Sequence, residues 1–123
     1  MKILVVDDDV TVQMTCQKML QHLGHSSVGV QNAVDAIKRL TEIPLGFDLV
    51  MLATGLPELS GMEFFNILRE WNLTLPVILI SADHADPEFE ALLEVFSHIQ
   101  LLPMPFTQET LQTAIERSQN QPS

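Results

Sequence analysis

Four short apolar runs, at residues 3–6, 48–52, 76–80 and 99–102, set the strongest limit on what this chain can become. Each is too short for a helix and too continuous for a strand with one wet face, so each reads as a strand buried on both faces of a parallel sheet. A weaker fifth run, at 27–30, is bounded by Gly24 on one side and by Gln31 and Asn32 on the other. It reads as an edge strand, second in the chain. Between the runs lie amphipathic stretches of helical length, at residues 10–23, 33–43, 61–71, 87–96 and 108–118. Strand and helix thus alternate five times. That order predicts right-handed crossovers, an α/β fold with helices on both faces of the sheet, and a ligand crevice outside the carboxyl ends of the central strands.

Capping chemistry supports the helix starts. Asp9, Asn32, Ser60, Asp86 and Thr107 each stand just before a helical pattern with an oxygen able to accept orphan amide protons. Ser60 with Glu63 spells a capping box, Pro87 suits a first helical position, and Gly24 sits where the first helix should stop.

With 123 residues, 46% of them hydrophobic and 18% charged, the chain can bury a core and has room for one domain. Sixteen Asp and Glu against six Lys and Arg give a net charge of −10, which repels nucleic acid and anionic membrane surfaces and points to protein partners. The single cysteine, Cys16, excludes an internal disulfide and lies in a helical pattern, where a buried, inert thiol is expected. The amino terminus carries no basic segment followed by a long apolar stretch, so a cytoplasmic location is expected. Met14, Met19, Met51 and Met62 fall in core-like patterns, and Trp71 near a helix end reads as packing. His84 beside Asp83 and Asp86 reads as a solvated loop, while His22, His25 and His98 lack ligand spacing. Neither a Gly-x-Ser-x-Gly elbow nor a glycine-rich phosphate loop is present, which leaves a small hydrolase as a remote reading.

The strand ends carry the chemistry. The first run ends in Asp7, Asp8 and Asp9; with Asp9 capping a helix, Asp7 and Asp8 face the crevice. Adjacent carboxylates repel, and their usual resolution is a hard cation such as magnesium or a nearby ammonium. The plainer reading is that all three acids cap the helix and solvate the loop. The third run ends at Ala53-Thr54-Gly55-Leu56-Pro57, the fourth at Ser81-Ala82, and the fifth enters Pro103-Met104-Pro105-Phe106.

In the spacing of these segments, nearly the whole chain resembles the receiver domain of two-component response regulators. The resemblance implies a flavodoxin-like (βα)5 three-layer sandwich with a five-stranded parallel sheet in the order 2-1-3-4-5. It also implies an acidic pair that helps hold magnesium, an aspartate that accepts a phosphoryl group from a histidine kinase, and a hydroxyl and a lysine that contact the phosphoryl oxygens. Carried over by position, Asp7 and Asp8 match the acidic pair and Ser81 the hydroxyl. The phosphoacceptor position holds Ala53, the lysine position Met104, and the aromatic switch position Leu101. An alanine methyl is neither nucleophile nor metal ligand, and without a nucleophile the lysine has nothing to stabilise. A thioether fills the same volume without a buried charge. Without that lysine, Asp7 and Asp8 should show raised pKa values or weak magnesium binding. Ser81 then either keeps a switching role or is simply a satisfied strand-end hydroxyl.

The resulting expectation is a phosphorylation-independent module, a pseudo-receiver, acting through contacts and not as an enzyme. Its expected partners are a histidine kinase, an output domain or a downstream protein. The alternative is a conventional phospho-accepting receiver carrying an engineered Asp→Ala change at position 53. Met104 and Leu101, as further departures, favour natural degeneration. Phe89, Leu92, Leu93 and Phe96 are expected on the sheet, leaving Ala91, Val95 and Leu101 as an apolar patch beside the last strand and helix, suited to a homodimer or a partner. The receiver is expected to span residues 1–118. Residues 119–123 form a polar tail that frays, belonging to a stand-alone adaptor or marking a cut from a larger protein.

Overall fold

Three β-branched side chains among five residues favour extended backbone at the start of the chain, where β1 (Lys2–Val6) forms. The computed structural model describes residues 1–42, 46–56, 59–82, 87–96 and 99–120. After β1 come α1 (Val10–His22), β2 (Ser26–Val30), α2 (Ala33–Glu42), β3 (Leu49–Ala53), α3 (Gly61–Glu70), β4 (Val77–Ser81), α4 (Pro87–Leu93), β5 (Ile99–Pro103) and α5 (Gln108–Asn120). All neighbouring strands pair in parallel, in the order β2-β1-β3-β4-β5, with the weak second strand at an edge as expected.

Because side chains alternate across a strand, the sheet has two buried faces. Leu4, Val6, Val50, Leu52, Val77 and Leu79 meet α2, α3 and α4 on one face. Ile3, Val5, Met51, Ile78, Ile80 and Leu102 meet α1 and α5 on the other. This two-sided burial is the reason the strands read as unbroken apolar runs.

The caps hold where they are described. Asp9 accepts from the Thr11 N–H at 2.9 Å, Asn32 from the Asp35 N–H at 2.8 Å, and Thr107 from the Thr110 N–H at 3.1 Å. Ser60 and Glu63 form the full capping box. Gly24, at φ +88°, closes α1: its N–H donates to Gln21 C=O at 3.0 Å and the His25 N–H to Leu20 C=O at 2.9 Å, a Schellman turn. The expected cap Asp86 lies outside the described residues, as do Asp83 and His84.

Several expectations need correction. Helix α4 ends at Leu93, not at residue 96. Leu93, expected on the sheet, is 46% exposed, while Phe96, its N–H held by Leu92 C=O, packs on Phe65 with ring centroids 4.9 Å apart. Met14 is 52% exposed: it lies two residues, about 200° of helix, from buried Cys16 and so faces away from the core. Trp71 is exposed just past α3 instead of packed. Helix α5 continues through Asn120, two residues into the expected tail. Among the described residues, no helix is long and apolar enough to cross a membrane.

Candidate functional site

Strand register decides which residues meet at the carboxyl end of the sheet. Val6 pairs with Leu52, so Asp7 follows β1 at the level of Ala53. Ala53 pairs with Ile80 and Ser81 with Pro103, which puts Ser81 one level beyond Ala53 and Met104 one residue further still. Backbone bonds close this end: the Met104 N–H donates to Ser81 C=O at 2.7 Å, and the Thr54 N–H to Ile80 C=O at 3.0 Å. The sequence-predicted residues Asp7, Ala53, Ser81 and Met104 therefore gather at one rim.

Their side chains differ sharply in setting. Asp7 is buried, and one of its carboxylate oxygens accepts the Asp9 N–H at 2.9 Å. Burial pushes its pKa above the usual carboxylate range; the Asp9 N–H pulls the other way, and the charges of Asp8 and Asp9 add to the rise. Asp8 is exposed, and Asp9 is occupied with capping α1. Ser81 is buried at the end of β4. Ala53 is half-buried against the core under α2, α3 and α4. Met104 packs against the opposite core and lines a small cleft with Val12, Thr15 and Met19, its thioether among apolar atoms. Leu101 is half-buried on the α4 side of the sheet. Burial, reinforced by the charge of Asp7, pushes the Cys16 thiol up to about 12, and the residue is structural as expected.

Magnesium takes oxygen ligands in near-octahedral geometry, and where few carboxylates bind it, substrate phosphate oxygens complete the set. Here one carboxylate is buried and already accepts an N–H, the second is exposed, and the third position is a methyl group. Among the described residues, no three His, Cys, Asp or Glu side chains are grouped to hold a metal. The donor set at Asp7 and Asp8 does not fit a resident magnesium ion. What the rim offers is a buried carboxyl at Asp7, its pKa raised by burial, and a buried hydroxyl at Ser81; it offers no nucleophile at position 53.

Two contributors were not legible as site residues. The Gln13 side chain donates to Val30 C=O at 2.8 Å and to Asp7 C=O at 3.4 Å, bracing the backbone beneath the acid pair. A Cβ on Gly29 would stand 2.6 Å from Gln13 Cδ, so the glycine makes room for that brace. A glycine inside a strand is the one available signal of such a close approach. The second is Glu88, whose carboxylate accepts the Gly61 N–H at 2.6 Å from the neighbouring helix.

The expected patch of Ala91, Val95 and Leu101 does not form one surface. Ala91 and Val95 are exposed but line two separate grooves along α3, one with Leu56 and Met62 and the other with Phe65 and Leu73. Leu101 lines neither groove and packs inward.

A sheet of this order with an acidic end on β1 and a hydroxyl on β4 defines a receiver-type domain, and sequence comparison fixes the family. The response regulator receiver domain model matches residues 3–116, and the chain belongs to that family. It is 34% identical over 93 residues to the alkaline phosphatase synthesis transcriptional regulatory protein PhoP of Bacillus subtilis, covering 75% of this chain and 37% of that protein. It is 33% identical over 89 residues to a two-component response regulator of Arabidopsis thaliana, covering 72% of this chain and 16% of that protein. Among solved structures, a response regulator receiver domain protein from Clostridium thermocellum superposes with a TM-score of 0.82 at 26% identity, covering 97% of this chain and 94% of the other. The receiver domain of a Pseudomonas aeruginosa sensor histidine kinase, solved with magnesium in its active-site cleft, shares the fold with a TM-score of 0.81 at 24% identity, covering 94% of each chain. Domains of this family are signalling modules of two-component systems, working with histidine kinases and output domains.

Proposed function

We propose that this receiver domain is a phosphorylation-independent interaction module of a cytoplasmic two-component pathway, without catalytic activity of its own. The observation that carries the reading is Ala53, which occupies the strand-end position beside Asp7 where a receiver needs its nucleophilic carboxylate. Met104, packed among apolar side chains, supports it by replacing the cation that would neutralise a phosphoryl group. Leu101 supports it as an aliphatic residue at the aromatic switch position. Signalling then runs through contacts with a kinase, an output domain or a downstream protein, with no direct role for nucleic acid or membrane. The net charge of −10 supports that last point.

Intact-mass measurement after incubation with acetyl phosphate and magnesium tests the reading. The unaltered chain is expected to carry no phosphoryl adduct, and a stoichiometric adduct on it overturns the proposal. The same treatment of Ala53→Asp separates the two origins of the alanine. An adduct there favours a recent or introduced replacement in a pocket otherwise intact, and no adduct favours a pocket that has decayed as a whole.

A further inference from the structure

The charge of this chain is unevenly placed. Residues 1–39 hold four acids and four bases, whereas residues 40–123 hold twelve acids against only Arg69 and Arg117. The strand order sets the neutral part on the β2-β1 side of the molecule and the acidic part on the β3-β4-β5 side. No Lys or Arg occurs between Arg69 and Arg117, a stretch that contains all of α4 and β5.

On that acidic side a groove of about 480 Å³ lies between the start of α3 and α4. Leu56, Met62, Ala91 and Leu92 give it apolar walls, and the carboxylates of Glu63 and Glu88 also line it. Its geometry is set by a bond between the two helices, because Glu88 Oε1 accepts the Gly61 N–H at 2.6 Å. Gly61 permits this approach: a Cβ there would stand 2.5 Å from that oxygen and 3.0 Å from Leu92 Cδ1. The groove is thus preformed, and little ordering is required for a ligand to enter it.

We infer that this groove docks a basic, apolar-anchored segment of a partner protein. One or two Leu- or Met-sized side chains enter the groove, and Lys or Arg beside them face Glu63 and Glu88. Charge selects this occupant. A second copy of the chain would bring its own net charge of −10 against an acidic face, and like charges across an interface oppose association. A basic segment is instead drawn in by the same field. The inference rests on the reading of the chain as an interaction module and names the chemistry of its partner.

Fluorescence anisotropy with a labelled amphipathic helical peptide built from Leu and Lys tests it, with the Leu and Glu version as the control. The Lys peptide is expected to bind saturably at low salt and the Glu peptide not to bind. Ala91→Lys, at an exposed wall of the groove, is expected to weaken binding at least tenfold. Glu116→Lys on α5 alters the charge more, by two rather than one, yet is expected to weaken binding less than threefold. Circular dichroism confirms that both variants are folded. Failure of the Lys peptide to bind, or a loss with Glu116→Lys equal to that with Ala91→Lys, overturns the proposal, since the second result would mean attraction to bulk charge alone. A dimer in sedimentation equilibrium that Ala91→Lys dissociates also overturns it by placing a second copy in the groove. A phosphoryl adduct on the unaltered chain would overturn the phosphate-independent reading and leave these binding results standing, so the two failures are distinguishable.

Discussion

Asp7 and Ala53 stand level with each other at the ends of adjacent strands, yet their surroundings could hardly differ more. Asp7 keeps a buried carboxylate, held by one N–H and pressed by two neighbouring acids. Ala53 presents a methyl group to an apolar core. The rim thus sets a buried acid on one wall against a methyl group at position 53 and the thioether of Met104, which packs on the opposite core. The difference teaches that residues level with each other in a sheet can meet opposite electrostatic surroundings. With a methyl group at position 53 and a thioether at position 104, the burial of Asp7 is offset by its bond from the Asp9 N–H and by no charge from those two positions.

The largest effect should come from undoing the difference. Ala53→Asp places a third carboxylate beside buried Asp7 and is expected to cost about 1–3 kcal/mol at pH 7 in chelator, as a charge with no partner. Millimolar magnesium should restore most of that loss in a urea melt, because three carboxylates approach the donor set that two do not supply. An unchanged midpoint in chelator would mean that the wall at position 53 is wetter than its packing implies.

A smaller effect is expected from relieving the other wall. The Asp7 carboxyl is held above its ordinary value, so the folded chain binds that proton more tightly than the unfolded chain. The stability from this group is fully present below the ordinary aspartate pKa of about 3.9 and is lost as pH rises through the raised folded value. Asp7→Asn keeps an oxygen for the Asp9 N–H and removes the charge. It is expected to raise Tm by roughly 3 °C at pH 7 and to give no gain near pH 3. A gain of equal size at both pH values would show that packing, not charge, is the cause.

Least should follow from Asp8→Asn. Asp8 is exposed, and its removal is expected to shift stability by no more than about 0.5 kcal/mol in the same melts. A shift as large as that of Asp7→Asn would mean that the two acids act as one unit and would blur the contrast.

Much of this architecture was legible beforehand because it depends on short-range rules. Unbroken apolar runs announced strands covered on both faces, and Asp9, Asn32, Ser60 and Thr107 announced helix starts through oxygens next to their targets. Strand order also sets the levels at the carboxyl end, with Asp7 level with Ala53 and Ser81 one step further on, opposite Pro103. What escaped was set by tertiary context. Met14 carries an apolar side chain on the wet face of α1, and only its angle to Cys16 and Leu20 reveals that. Ala91 and Val95 are exposed, yet each lines a groove with residues of α3 or the turns beside it, a placement set by packing between segments and not by their own periodicity. Gln13 and Glu88 act across 17 and 27 residues of sequence, where no local pattern announces a partner.

The bond from the Gly61 amide to Glu88 makes that one proton a reporter. The first amides of a helix have no acceptor within their own helix and exchange readily with solvent unless something outside holds them. Gly61 is held by a different helix, so its deuterium uptake reads the departure of α4 from α3 instead of the unwinding of α3 itself. A partner that settles on these helices should slow exchange at this position before it changes the melting of the sheet. One resonance in a nitrogen-correlated spectrum would then serve as a meter for the whole face.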